Sequence, residues 1–283
     1  MRSILVPIEE YAGLRSQLQT ALLAAREFRG HIDAVMPRAH LDPYAVSPTI
    51  GMIAPAGIDA PGQGERERAD EMLAQYRAFM REMNVDWGDP LAPAESPTAS
   101  WISEVARGDE SIGEIARLYE IAVLARPVPK SYLPRQALLE TVLFESGRLV
   151  LVAPPEAPTT LSGTMVIAWN GSNESARTIA LAHPFIVRAE RIVVLSVEGG
   201  MVPGPSAQDV VRSLARSGIK AEAVEARGDG RSPGEAILSE SARLDAHLLV
   251  KGAYTHSRLR QMIFGGATQH ILQNAVIPVL MAH

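Results

Sequence analysis

The sequence predicts an α/β protein made of two similar doubly wound parallel-sheet domains. Short apolar, β-branched runs alternate with amphipathic helical stretches from end to end. The series restarts after Pro154-Pro155, and each half closes on a matching run, Leu149-Val-Leu-Val-Ala153 and Ile277-Pro-Val-Leu-Met281. Such alternation builds a parallel sheet with right-handed crossovers and helices on both faces. With 283 residues the chain has room for two domains, expected at 1–155 and 163–283.

In order, Ile4-Leu-Val-Pro-Ile8 is a strand buried on both faces. Residues 12–29 are helical, with Leu14, Leu18, Leu22 and Ala25 on one face, and Gly30 stops them before the strand 31–36. Residues 38–64 hold four prolines and four glycines and sustain neither a helix nor a central strand. A loop of this length suits a lid, an interface or a disordered segment. A helix over 65–83 follows, with Met72, Tyr76, Phe79 and Met83 as core rather than ligands. A third strand falls at 84–87 or around 100–106. Helix 111–119, strand 121–125, helix 135–145 and strand 149–153 complete the half.

The second series runs strand 165–169, helix 174–185, strand 191–197, helix 208–217, strand 220–226, helix 235–243 and strand 248–250. A last helix to Asn274 precedes the closing strand. Ser111-Ile-Gly-Glu114 and Ser232-Pro-Gly-Glu235 occupy matching places, and each fits the capping box in which Ser and Glu satisfy free helix N–H groups reciprocally.

Composition narrows the chemistry. A net charge of −5 offers no bulk positive field for nucleic acid or an anionic membrane. The absence of cysteine removes disulfides, thiolate nucleophiles and Cys-based zinc sites. The apolar run at the N-terminus is too short for a signal peptide or a membrane span, which gives a cytoplasmic expectation. The seven histidines show no tight metal-ligand spacing. Gly230-Arg-Ser-Pro-Gly234 imitates a nucleophile elbow, but Pro233 lacks the N–H an oxyanion hole needs, so Ser232 is expected to cap a helix.

One stretch stands apart, Gly252-Ala-Tyr-Thr-His-Ser-Arg-Leu-Arg-Gln-Met-Ile-Phe-Gly265-Gly-Ala-Thr268. It joins a strand end to a helix start, where glycines admit backbone N–H groups to an anion and the helix adds unpaired donors and a positive dipole end. Glycines in such places also serve simply as turns and caps. Ligands of open α/β sheets bind beyond the strands' carboxyl ends, so the loop Asn170-Gly171-Ser172 and the end of strand 191–197 at Val197 are its expected neighbours. His256, Arg258 and Arg260 lie within the stretch, and an arginine there can pair with phosphate oxygens. The matching places in the first half are Glu9-Glu10, Arg126 for Gly252, and Gln136, Ala137 and Leu139 for Gly265, Gly266 and Thr268. Two carboxylates and no glycines there are expected to repel phosphate.

These residues resemble the universal stress protein family: a strand followed by a small acidic or amide residue with Gly-Ser, then Gly, two residues, Gly, nine residues, Gly and Ser or Thr. Gly252 and Gly265 match the first and third glycines, and the surrounding sequence looks like the tandem, two-domain bacterial members. The resemblance implies an adenine nucleotide alpha hydrolase-like fold in each half, in a pseudo-twofold arrangement, and a role in stress response. It implies ATP or another adenine nucleotide, with magnesium, held by Asn170, Gly171, Ser172, Val197, Gly252, Thr255, His256, Arg258, Gly265, Gly266 and Thr268. Asn170 stands where Asp is usual, Thr255 replaces the second glycine, and Gly266 sits where Ser or Thr is usual. A β-branched residue in place of a positive-φ glycine reshapes the loop.

Three readings remain open: a nucleotide-binding C-terminal domain beside a non-binding N-terminal copy; a ligand-free protein-interaction module using 38–64 and the sheet edges; and a slow phosphohydrolase using the same pocket. No base or nucleophile constellation supports efficient turnover. The closing strand 277–281 is also a candidate edge for a homodimer.

Overall fold

The computed structural model describes residues 1–38, 63–90, 94–103, 108–128, 131–253 and 266–283. In the first half, β1 (Ser3–Pro7), α1 (Leu14–Phe28), β2 (His31–Val35), α2 (Gln63–Glu82), β3 (Asp86–Trp87) and β4 (Thr98–Ile102) are followed by α3 (Asp109–Ala116), β5 (Ile121–Ala125), α4 (Gln136–Glu145) and β6 (Leu149–Ala153). The second half runs β7 (Thr164–Ala168), α5 (Asn173–Leu181), α6 (His183–Ile186), β8 (Arg191–Val197), α7 (Ala207–Arg216), β9 (Glu222–Ala226), α8 (Pro233–Arg243), β10 (Leu248–Gly252), α9 (Gly266–Asn274) and β11 (Val279–Ala282).

All these strands share one sheet of order β3-β4-β2-β1-β5-β6-β11-β10-β7-β8-β9. Every pairing within a half is parallel, and the halves join antiparallel through β6 and β11, with Leu280 opposite Leu151. The orders β4-β2-β1-β5-β6 and β9-β8-β7-β10-β11 are therefore related by a pseudo-twofold axis perpendicular to the sheet, between its two central strands. The closing strand, a candidate edge from the sequence, is thus interior: β11 is hydrogen-bonded on both sides, by β10 and β6. Burial selects this pairing, because all four of its residues are buried and an edge would leave its backbone groups unpaired.

Two apolar cores cover the two faces, and each runs through both halves. On one face α1, α2, α6 and α7 pack down, with Phe28 edge-on to Phe185 across the pseudo-axis at 4.8 Å and Arg188 of the second half over the Phe28 ring. On the other, α3, α4, α8 and α9 do so. Gly113 and Gly234 occupy equivalent helix crossings. A Cβ at Gly113 would lie 3.0 Å from the Glu145 Cβ, and one at Gly234 would lie 2.8 Å from the His270 Cβ, so α3·α4 and α8·α9 approach closely only with glycine there.

Several expectations are corrected. Both places considered for a third strand are strands, β3 and β4, paired with each other. The helix expected over 174–185 is two helices, because Pro184 carries no N–H to continue the ladder and restarts it at the beginning of α6. Ser232 and Glu235 form the capping box, but Ser111 and Glu114 do not: α3 starts earlier, its N-cap is Gly108, and the Ser111 hydroxyl donates to the Gly108 carbonyl at 2.8 Å. An unforeseen capping box, Ser206 with Asp209, opens α7. Most of the 38–64 segment lies outside the described residues. No described helix is long and apolar enough to cross a membrane, and no described cluster of three or more His, Asp or Glu could hold a metal.

Candidate functional site

The antiparallel junction sends the carboxyl ends of the two half-sheets to opposite edges, so the chain has two separate crevices where an α/β sheet binds ligands. Strand register fixes their equivalences. Glu9 corresponds to Asn170, each two residues beyond its strand. Ala125 corresponds to Gly252 and Leu124 to Lys251, which moves the sequence-based match of Arg126 by one residue.

In the second half, Ser172 caps α5, its hydroxyl accepting from the Ser175 N–H at 3.2 Å. The Asn170 side-chain oxygen accepts from the Ser172 N–H at 3.2 Å and from the Ser175 hydroxyl, so this side chain is turned into its own loop. Gly171 has φ +86°, and a Cβ on it would stand 2.8 Å from the Val202 carbonyl; glycine is required on both counts. The segment after β8 folds over this loop, Val202 N–H donating to the Asn170 carbonyl and the Trp169 indole to the Pro205 carbonyl, both at 2.8 Å. Val197 lines a separate cleft at the ends of β8 and β9 with Glu198, Met201, Glu225 and Arg227.

Gly252 serves packing rather than approach to a ligand: a Cβ there would come 2.4 Å from the Ser175 nitrogen, so glycine lets the start of α5 rest on β10. Gly266 opens α9, and a Cβ on it would meet no described atom within 4 Å. Thr268, in the first turn of α9, is buried, and its hydroxyl oxygen accepts from the Lys251 ammonium at 2.8 Å. Lys251 also donates to the Gly252 carbonyl at 2.7 Å. It is 9% exposed, and burial pulls its pKa down to about 8, against the raising influence of Glu174. Thr255, His256, Arg258 and Gly265 lie outside the described residues.

The first-half crevice pairs its own charges. The Glu9 carboxylate sits at the N-terminus of α4, accepting from the Arg135 backbone N–H at 2.9 Å and from its guanidinium at 2.6 Å. Arg135 also pairs with Asp109 at 2.7 Å, and the three side chains are 8–22% exposed. Glu9 therefore does not present a free repelling charge, as its sequence position suggested. It is neutralised, and it is itself the anion at the helix start. Where this half packs Leu124 and Leu139 in its core, the second carries Lys251 and Thr268.

Sequence reasoning missed Lys251 and Arg135. The signal for Lys251 is a cation ending the apolar run Leu248-Leu-Val250 in a stretch without one Asp or Glu after Asp245. Arg135 had no local signal, because its partners are 126 and 26 positions away in sequence.

Residues 149–283 match the universal stress protein family. The second half carries a universal stress protein domain. The whole chain shares its fold with a universal stress protein from Archaeoglobus fulgidus: 16% identity, a TM-score of 0.70, and 99% of this chain and 97% of that one covered. A functionally unknown protein from Pseudomonas aeruginosa is similar over 100% of this chain and 92% of its own, with 16% identity and a TM-score of 0.55. No curated protein matches the chain in sequence. The universal stress protein fold thus accounts for both halves, while the family's sequence signature is confined to a span that begins at β6.

Proposed function

We propose that the universal stress protein domain of the second half binds an adenine nucleotide through its phosphates, in a stress-response role. One observation carries this reading. The helix start that the first half satisfies with the internal carboxylate Glu9 has no carboxylate from the equivalent position in the second, where Asn170 is neutral and bonds within its own loop. A helix N-terminus favours an anion, and the first half supplies its own. Family membership of residues 149–283 supports the nucleotide as the source of that anion.

The test is thermal melting with ATP, ADP and AMP, each with and without magnesium, and with inorganic phosphate for comparison. A ligand at a hundred times its dissociation constant stabilises the native state by about 2.7 kcal/mol, so the melting temperature rises with concentration. An unchanged melting temperature with every nucleotide at millimolar concentration overturns the proposal.

A second reading, a ligand-free interaction module, draws on the segment after β8 that covers the Asn170 loop. It expects partner capture that survives Gly266→Val and Thr268→Val, whereas the nucleotide reading expects both substitutions to reduce nucleotide binding.

A further inference from the structure

Among the described residues the buried ammonium of Lys251 has no ion-pair partner. Among the described residues no carboxylate lies within 4.0 Å of it, and Glu174 on α5 acts on it through space alone. The sequence that follows, residues 253–265, contains no acidic residue. Two of the three ammonium protons meet neutral acceptors, the Gly252 carbonyl and the Thr268 hydroxyl, and the third has no acceptor among the described residues. A buried cation is costly unless paired, so a position that holds one with a proton to spare suits an anion arriving from outside.

The first half shows what such pairing looks like. There the anion at the start of α4 is the Glu9 carboxylate, and a side-chain cation, Arg135, lies 2.6 Å from it. The second half has a cation at the start of α9, held by the first-turn residue Thr268, without the carboxylate. We propose that Lys251 is the cation that receives a phosphate of the ligand, so that the nucleotide binds without a divalent metal ion. This rests on the nucleotide reading above. Lys251 does for the ligand what Arg135 does for Glu9: it neutralises an anion already favoured by the helix start. A phosphate bonded to a fixed ammonium and to helix N–H groups has a positive partner supplied by the chain itself.

The experiment is calorimetric titration of the full chain with ADP and ATP, in EDTA and in millimolar magnesium, for wild type, Lys251→Met and Lys251→Arg. Wild type is expected to bind equally well in EDTA and in magnesium, within about twofold. Lys251→Met, of similar length and apolar, is expected to lose at least about tenfold in affinity in EDTA, as befits one charge-assisted hydrogen bond. Lys251→Arg is expected to retain more affinity than Lys251→Met. Wild-type binding that disappears in EDTA overturns the metal-free proposal and leaves the nucleotide reading standing. So does a folded Lys251→Met that binds as wild type does. No binding by wild type in either condition overturns both. The EDTA comparison needs no variant, so a failure of Lys251→Met to fold leaves the proposal open to refutation.

Discussion

The two crevices of this chain have the same strand order, the same helix placement and opposite electrostatic solutions. In the first, Glu9, Arg135 and Asp109 form an internal ion-pair triad, beside the purely apolar pair Leu124 and Leu139. In the second, the position of Glu9 is the neutral Asn170, and the apolar pair is replaced by Lys251 bonded to Thr268. The fold tolerates either. The first crevice completes its own charges, and the second, among the described residues, leaves a buried cation without a carboxylate.

The largest expected effect comes from breaking the closed crevice. Arg135→Ala leaves the buried Glu9 and the partly buried Asp109 without their cation and should destabilise the chain by about 2–4 kcal/mol in urea denaturation. Adding Glu9→Gln should recover part of that loss. If the two substitutions are additive, the triad is not a coupled unit.

Next is the open crevice made to copy the closed one. The Lys251 amine has a pKa of about 8 in the fold against its ordinary 10.5, so below pH 8 both states hold the proton and the burial cost is constant. Between those values the unfolded chain keeps a proton that the native state has lost, and stability rises with pH, by on the order of 3 kcal/mol across the window. Lys251→Leu with Thr268→Leu removes the titrating group. This variant should be more stable than wild type at neutral pH and lack the rise toward alkaline pH. A rise that persists would assign it to another group.

The contrast between Ala125 and Gly252 is a matter of space. Gly252→Ala forces a Cβ to within 2.4 Å of the Ser175 nitrogen and should cost about 1–3 kcal/mol. At the equivalent Ala125 the first half already carries that methyl group, so Ala125→Gly should cost less than the reverse change. Equal costs would mean that α5 shifts freely on β10.

The smallest effect separates the caps. Ser232→Ala removes a capping box and should lower stability by about 1 kcal/mol. Ser111→Ala, inside the first turn of α3, should cost less, on the order of 0.5 kcal/mol. Thermal denaturation of the two variants side by side checks the difference.

Much of this architecture is legible in the sequence, because its elements follow from local patterns. Apolar runs such as Ile121–Ala125 and Leu149–Ala153 are strands with the bounds their composition implies. The restart after Pro154-Pro155 marks the repeat, and Ser232 with Glu235 marks a helix start from four adjacent residues. The resemblance in residues 165–283 likewise rests on short-range spacing. What misled was also local: Ser111-Ile-Gly-Glu114 has the form of a cap, but the helix had already begun at Asp109.

Sequence by itself determined the elements, their alternation and the asymmetry between a glycine-bearing half and one without it, because turn, cap and periodicity preferences act over a few residues. Tertiary structure alone decided that β11 is interior rather than an edge, since pairing with β6 satisfies backbone groups that burial would otherwise leave unbonded. It also decided which charges meet. Glu9 finds Arg135 across 126 positions, while Lys251, among the described residues, finds a hydroxyl and a carbonyl. The energy of a charge depends on its burial and its partner, and both are properties of the folded chain.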